Sequence, residues 1–353
     1  MYNKAVEVLS MIEKEGFKAY LVGGYVRDYY MGNNSPDIDI CTNAPIDKIE
    51  KMFKGRGKSF PQYFAYHISD GEYEYDITTY RKELRYKKNK PVEIKIAKNL
   101  GEDLLRRDFT INTFAMDKDG YFIDLLGSKK DLNSKILKCV GDTDKRLEED
   151  KTRIIRALRF ACTLDFDLSS EIINFIANKS YMLNEVPKEY KRKELDKIFD
   201  SIGVDKFLYY VRRFDIQKYF DIKFDKVIPT YNRYGIWAQI ETDLPFSNNE
   251  LKTIDSIRKI VDNKNLKMED IVTYDNDVIM NAAYILNQVD KVKILNEINN
   301  LHSIIDIDID IDYFFQYIPI DEIVKSYRLV EKRIVEGYLA NNREDIEDFI
   351  RNL

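Results

Sequence analysis

The sequence predicts an α+β head carrying a mixed or antiparallel sheet, followed by an all-α remainder. Short strand-like runs punctuated by glycines fall at 17–22, 37–41, 63–69 and 72–80, the last three alternating at period two as half-buried strands do. Two of them, 63–69 and 72–80, flank Asp70-Gly71, a hairpin signal. Beyond about residue 140 strand signals almost vanish and the helical period takes over.

The elements follow in order. Ala5, Val6, Leu9 and Ile12 stand at helical spacing within 3–15, and Gly16 can take the left-handed C-terminal position. Residues 17–22 read as a strand, Gly23 and Gly24 break it, and 26–31 resume as a helix closed by Gly32. In 37–41 aspartate alternates with isoleucine, so a strand there puts Asp37 and Asp39 on one face and Ile38 and Ile40 on the other. Residues 46–53 read as a helix. From Arg81 to Lys98 eight basic residues stand against two acidic ones, a phosphate-facing loop or, on composition alone, a solvated run flanking a strand. Thr143 is the expected N-cap of a helix through Phe160 towards Leu164. Further helices are expected at 171–178, 188–200, 204–212, 248–262, 277–298 and 321–339, with breaks at Pro187, Pro229 and Pro245. Domain boundaries are placed near 137, 198 and 300, and no solenoid repeat is visible.

At 353 residues the chain has room for two or three cores, at about 150 residues each. Its 44% hydrophobic and 33% charged residues exclude a disordered or fibrous protein. No apolar run approaches the ~18 residues of a membrane span and Met1 to Gly24 shows no cleavable signal, so a cytoplasmic protein without membrane contact is expected. Cys41, Cys139 and Cys162 have neither metal spacing nor a disulfide framework and read as small buried residues. His67 and His302 lie too far apart in sequence to suggest a multi-histidine centre, so hydrolytic chemistry would have to use carboxylates. A net charge of −5 argues against indiscriminate nucleic-acid binding and leaves the local basic stretch as the informative feature.

Three constellations can carry chemistry. In Leu21-Val22-Gly23-Gly24-Tyr25-Val26-Arg27-Asp28, two glycines at a strand-to-helix turn let backbone N–H groups approach a triphosphate, and Arg27 adds charge. Asp37 and Asp39 offer the carboxylate oxygens that Mg²⁺ prefers, with Asp76 as the candidate third carboxylate. Taken singly, a glycine pair is a turn and an Asp-Ile pair a half-buried edge strand; order and spacing make the case. Residues 306–312 read Asp-Ile-Asp-Ile-Asp-Ile-Asp but have no glycine turn or basic clamp ahead of them. They are expected to form a solvated acidic edge strand, or an acidic loop packing its isoleucines, and to hold no metal. The second constellation is Arg106-Arg107-Asp108-Phe109-Thr110-Ile111-Asn112, whose arginines can clamp phosphates and whose Asp108 and Asn112 can bond ribose hydroxyls; by itself it could equally be a helix start. The third is Glu149-Asp150-Lys151-Thr152-Arg153, continued by Arg156. In one helix Asp150 and Arg153 would share a face, and in isolation they read as a surface ion pair.

These runs, with the Asp124, Gly127, Asp131, Leu132 spacing and 149–160, resemble in order the motifs of class II tRNA nucleotidyltransferases. These CCA-adding enzymes share their head with bacterial poly(A) polymerases. The resemblance is dense over residues 20–165, weaker through 189–199, and faint at Val335, Gly337 and Asn341. It implies a polymerase-β-like nucleotidyltransferase head (1–137) with a mixed sheet, a neck selecting the base (138–198), and a body (199–300) and tail (301–353) that bind RNA. It further implies template-independent addition of CCA to the tRNA 3′ end from CTP and ATP, with Mg²⁺ as cofactor and no protein partner. Asp37 and Asp39 would hold the metals. Gly23, Gly24 and Arg27 would take the triphosphate, Arg107 and Asp108 the sugar, with Asn112 and Arg156 beside them, and Asp150 with Arg153 the base. A carboxylate accepts from the amino group of cytosine or adenine and a guanidinium donates to C N3 or A N1, whereas uracil and guanine present the reverse pattern. Pro36 stands where the family often has a basic residue, and Asp76 where it often has glutamate. The stretch after Arg81 resembles the family's flexible loop, though one residue short at Lys90-Pro91, and the presence of that loop disfavours a CC-only enzyme. A poly(A) polymerase or A-adding enzyme is the alternative, although residues 321–353 carry eight acidic and six basic side chains rather than a basic extension. An RNA-binding protein with an inactive head is the alternative of another class. A dinucleotide-binding oxidoreductase fails for want of G-x-G-x-x-G.

Overall fold

The computed structural model describes residues 2–69, 71–301 and 305–353, so Asp70 of the expected turn and His302 lie outside the described residues. The chain forms two compact units, one ending at Phe220 and one running from Asp221 to Leu353.

The first unit begins with α1 (Tyr2–Lys14), β1 (Ala19–Val22), α2 (Gly23–Tyr30), β2 (Asp37–Thr42), α3 (Ile46–Met52), β3 (Gly57–Phe60), β4 (Ala65–Ser69) and β5 (Glu74–Thr79). It continues with β6 (Arg81–Lys87), β7 (Lys90–Ile96), α4 (Leu100–Leu104), β8 (Ala115–Met116), β9 (Phe122–Ile123), α5 (Lys129–Asn133) and β10 (Ile136–Leu137). The helices α6 (Thr143–Glu149), α7 (Thr152–Thr163), α8 (Ser170–Lys179), α9 (Lys188–Phe199) and α10 (Val204–Arg213) complete it, with β11 (Asp167–Leu168) paired in parallel to β10. The main sheet runs β3-β4-β5-β2-β1-β8-β9. It is mixed: β2 and β5 are parallel, the remaining neighbours antiparallel.

Strand β2 meets the alternation expected of it, with Ile38 and Ile40 buried on one face. Its other face grades from exposed Asp37 through half-buried Asp39 to buried Cys41. Cys41 joins Val22, Leu100, Leu104 and Ala115 in a core under α4, so the sheet is sealed at one end of this face and open at the aspartates. All three cysteines are free and buried.

Three expectations are corrected here. The helix expected over 26–31 begins at Gly23, directly after the strand. The basic stretch is a two-stranded hairpin rather than a loop: Lys88 and Asn89 both have positive φ, 51° and 61°, and close a two-residue turn between β6 and β7. The helix expected from Thr143 towards Leu164 is two. Its N-cap is Asp142, whose carboxylate accepts from Lys145 N at 2.8 Å, and the break falls at Asp150, extended at φ −143° and ψ 98°. There Asp150 Oδ1 accepts from Thr152 N (3.0 Å) and Thr152 Oγ1 (2.6 Å), starting α7 afresh.

The second unit contains the short strand pair β12 (Ile222–Lys223) and β13 (Glu241–Thr242), which brackets α11 (Arg233–Ala238). It then has α12 (Asn248–Asp262), α13 (Met268–Thr273), α14 (Asn276–Leu286), α15 (Val289–Asn299), α16 (Phe314–Tyr317), α17 (Ile323–Val335) and α18 (Arg343–Arg351). The single helix expected over 277–298 is split at Asn287, which takes the left-handed conformation at φ 56°. The acidic repeat is a loop that runs into a 3₁₀ turn at Ile311–Tyr313. Ile307 and Ile311 are buried with Phe314, Val330 and Ile346, and Asn341 clamps the loop by accepting from Asp308 N (3.0 Å) and donating to Asp306 O (2.9 Å). Among the described residues no helix is long and apolar enough to cross a membrane.

Candidate active site

The turn from β1 into α2 shapes the first part of the site. Gly23 has φ +72°, and a Cβ there would stand 2.4 Å from Asp39 Oδ2 and 3.0 Å from Arg107 Nη1. Glycine is therefore required twice, by conformation and by the approach of a carboxylate and a guanidinium. Burial pushes the Asp39 carboxyl up, Arg107 pulls it back, and Asp76 and Asp37 add repulsion. In the β2–β5 register Asp76 lies opposite Asp39 and Glu74 opposite Asp37. His67 on β4 spans both, with Nδ1 2.8 Å from Asp76 Oδ1 and Nε2 2.7 Å from Glu74 Oε2. The Asp76 bond, chiefly, raises the His67 pKa.

Among the described residues no cluster of three or more His, Cys, Asp or Glu side chains stands ready to hold a metal alone. Two adjacent aspartates nevertheless suit a hard divalent cation that draws its other ligands from phosphate and water. The surroundings fit such a charge pattern: Arg107 brings Nη1 to 3.0 Å from where a Gly23 Cβ would stand, and its Nε is buried without a hydrogen-bond partner, a donor left over for an anion.

Arg107 is positioned from behind. Fully buried Asp103 accepts from Arg81 N (3.1 Å), Arg106 Nε (2.9 Å) and Arg107 Nη2 (3.4 Å). A second chain of contacts runs from Arg27, whose Nη1 donates to Asn112 Oδ1 at 2.7 Å, through Asn112 Nδ2 to Asp108 Oδ1 at 3.1 Å. Asp108 Oδ2 accepts from Arg156 Nε at 2.9 Å and also from Arg156 Nη2. Burial opposes ionisation of Asp108, but the Arg156 guanidinium, Asn112 and the Phe109 N–H hold its carboxyl well below the usual range. Arg27, Arg156 and Arg159 surround the Phe160 ring at 5.2, 5.4 and 3.8 Å. Gly24 lies in the first turn of α2 beside Arg27, with Nη2 3.5 Å from where its Cβ would be.

A cavity of about 280 Å³ is lined by Arg107, Asp108, Asp150, Arg153, Arg156 and Tyr190, among others. Asp150 does not share a helical face with Arg153, as a continuous helix would require; it stands at the break, with Oδ2 3.8 Å from Arg153 Nε. Thr152 takes only Oδ1, leaving Oδ2 turned to Arg153. Burial raises the Asp150 pKa against the pull of Thr152 and Arg153. Arg153, 5% exposed, donates from Nη1 to Glu149 Oε1 (2.6 Å) and Arg146 O (2.8 Å), and from Nη2 to Tyr86 Oη (2.8 Å). A larger cavity of about 510 Å³, lined by Lys4, Met11, Phe53, Ile68 and Tyr75 among others, contains none of these residues.

The structure thus brings Gly23, Asp39 and Arg107 to one point, and Arg107, Asp108, Asp150, Arg153 and Arg156 around one cavity. Arg27 and Asn112 join the two from behind. Sequence reasoning missed Asp103, Glu83 and Tyr86, and named Glu149 in the third constellation without giving it a role. For Asp103 a signal existed, since it precedes Arg106 and Arg107 by the three and four residues of helical neighbours.

Residues 19–138 match the family model of the poly A polymerase head domain. The CCA-adding enzyme of Bacillus subtilis is 37% identical over 202 residues, 57% of this chain but only 51% of that protein's length. The CCA-adding enzyme of Staphylococcus haemolyticus is 34% identical over 284 residues, covering 74% of this chain and 69% of the relative. The fold is that of the Bacillus stearothermophilus CCA-adding enzyme, solved in complex with CTP, at a TM-score of 0.73 and 18% identity over 99% of this chain and 97% of that one. With a relative 34% identical and matched over 69% of its length, and with the head-domain model matched, the chain belongs to the family of CCA-adding enzymes, nucleotidyltransferases that are generally metal-dependent.

Proposed function

We propose that this protein adds C, C and A in turn to the 3′ end of tRNA, from CTP and ATP, with Mg²⁺ and without a nucleic-acid template. The observation that carries the reading is the pairing edge left in one cavity. Asp150 Oδ2 is an acceptor not used by Thr152, and beside it are the Arg153 N–H groups not used by Glu149, Arg146 or Tyr86. An acceptor beside a donor matches the amino group and ring nitrogen of cytosine and adenine and mismatches uracil and guanine.

The other assignments support one reaction. The primer 3′-oxygen forms a bond to the α-phosphorus of the bound nucleotide, and the bond to pyrophosphate breaks. Asp37 and Asp39 would hold Mg²⁺, which would supply positive charge to activate the hydroxyl and neutralise the phosphates. Asp76, opposite Asp39 on the neighbouring strand, would be the third carboxylate. The Gly23-Gly24 turn opens the start of α2 to the triphosphate, and Arg107, held by Asp103, donates to it. Asp108, fixed by Arg156 and Asn112, with Asn112 held by Arg27, stands at the sugar. Residues 1–137 act as head and 138–198 as neck, with 199–300 and 301–353 as the RNA-binding body and tail, in a cytoplasmic enzyme.

The test is a gel assay with tRNA transcripts ending before CCA, after C and after CC, offered each nucleotide singly and CTP with ATP. The expected result is growth to CCA and no further, with CTP required first. Addition of A to the CC transcript alone would indicate an A-adding enzyme, long A tails a poly(A) polymerase, and no incorporation an RNA-binding protein.

A further inference from the structure

The base-selecting arginine is held by a residue of the basic hairpin. Tyr86 lies on β6 with its ring 5.1 Å from the Arg153 guanidinium carbon, and its hydroxyl oxygen accepts from Arg153 Nη2 at 2.8 Å. The same hydroxyl donates to Glu83 Oε2. Glu83, with its side chain 7% exposed, is itself fixed by Arg81 Nη2 at 2.9 Å and Arg106 Nη1 at 3.2 Å. The direction of the proton is determined. The two arginines and Tyr86 outweigh burial and lower the Glu83 pKa, while burial chiefly pushes the Tyr86 hydroxyl up. Glu83 can therefore only accept, and the Tyr86 oxygen is left to face Arg153 as an acceptor.

The consequence is a count of donors. A guanidinium has five N–H groups. Glu149 and Arg146 O take both on Nη1 and Tyr86 takes one on Nη2, which leaves Nε–H and one Nη2 hydrogen for an incoming base. The hairpin is also tied down at its tip, where Asn89 Oδ1 accepts from Lys151 N (3.0 Å) and Asn89 Nδ2 donates to Glu185 O (2.9 Å). The Lys151 bond lies next to the break that presents Asp150.

We infer that Tyr86 is a specificity-determining, positioning residue: its hydroxyl, with the proton committed to Glu83, fixes which edge of Arg153 faces the nucleotide. This rests on the proposed pairing of Asp150 and Arg153 with the base. Without the hydroxyl the guanidinium keeps only its two Nη1 bonds; the Nη2 edge is no longer held, and the donor array loses register against cytosine and adenine.

The test compares Tyr86→Phe, which keeps the ring over Arg153, with Arg153→Ala, in the full chain with Mg²⁺ and a tRNA transcript ending before CCA. kcat and KM are measured for CTP and for UTP, with a melting curve for each protein. Tyr86→Phe is expected to lower the CTP-over-UTP preference about tenfold, as loss of one hydrogen bond to a charged group does, by raising KM for CTP and admitting UTP while the melting temperature holds. Glu83→Gln, which frees the proton of Tyr86 while keeping the side-chain shape, is expected to move the preference in the same direction by less. Preference unchanged in both folded variants, with Arg153→Ala abolishing it, overturns the inference and spares the pairing. Preference unchanged in Arg153→Ala as well overturns both.

Discussion

Asp37-Ile38-Asp39-Ile40 and the repeat at 306–312 are written in the same alternating pattern, yet the two segments do different things. The first is an interior strand of a seven-stranded sheet. Its isoleucines are buried, and Asp39 is pressed against a positive-φ glycine and an arginine that still has an unpartnered donor. The second is a loop whose Ile307 and Ile311 anchor it in a helical core. Its last carboxylate, Asp312, is occupied by Lys291 and by Asn265 Nδ2. Alternation decides which side chains are buried in both places. What separates the proposed metal-binding pair from an anchor is the chemistry that other segments bring to the polar face.

The largest expected effect lies in the first segment. Asp39→Ala should lower CTP incorporation by about a thousandfold or more, whereas Asp308→Ala, which leaves its clamped backbone N–H in place, should stay within about twofold of wild type in the same assay. Stability should respond the other way. Asp312→Ala leaves the Lys291 side chain, 9% exposed, without its ion pair and should cost about 3 kcal/mol in denaturant titration, while exposed Asp37 can be replaced with no change in midpoint. Gly23→Ala should reduce turnover about a hundredfold, because its Cβ would meet Asp39 Oδ2 at 2.4 Å. Gly337→Ala, equally strained at φ +79° but with nothing within 4 Å, should cost about 1 kcal/mol of stability and no activity.

The smallest effect is a pH dependence. Burial raises the Asp150 pKa above the ordinary 3.8, so the carboxylate acceptor is present above that raised value and gains a proton as pH falls through it. A protonated carboxyl can donate to O4 of uracil. Discrimination against UTP should therefore weaken a few-fold on acidification, beginning above the range where an ordinary aspartate titrates. Asp150→Asn should show weak discrimination at every pH, read from CTP and UTP rates across a buffer series.

Much of the first segment was legible because its signals are local. Gly23-Gly24 announces the turn, and the period-two pattern announces β2. The hairpin 63–69/72–80 was visible from its alternation and the Asp70-Gly71 turn signal between the runs; strands are observed at β4 and β5, with Asp70 outside the described residues. What escaped depends on contacts between distant segments. Glu83 reads as a stray acid in a basic run until Arg106 arrives 23 residues later, and Tyr86 is an ordinary strand residue until α7 places Arg153 against it. The break at Asp150 was hidden because 143–164 keeps helical periodicity across it; the side-chain bond to Thr152 overrides the pattern. The acidic repeat was read as a loop or edge strand packing its isoleucines, and the structure selects the loop.

One measurement bears most directly on the contrast between the two aspartate segments. Fe²⁺ in place of Mg²⁺, limiting and with CTP present, generates hydroxyl radicals at the bound metal when ascorbate and peroxide are added, and backbone cuts report its position in the wild-type chain. The account predicts cuts around Gly23, Asp37–Asp39 and Asp76, strengthened by CTP, and an intact 306–312 loop. Cuts confined to that loop, or a head pattern absent with and without CTP, would contradict it.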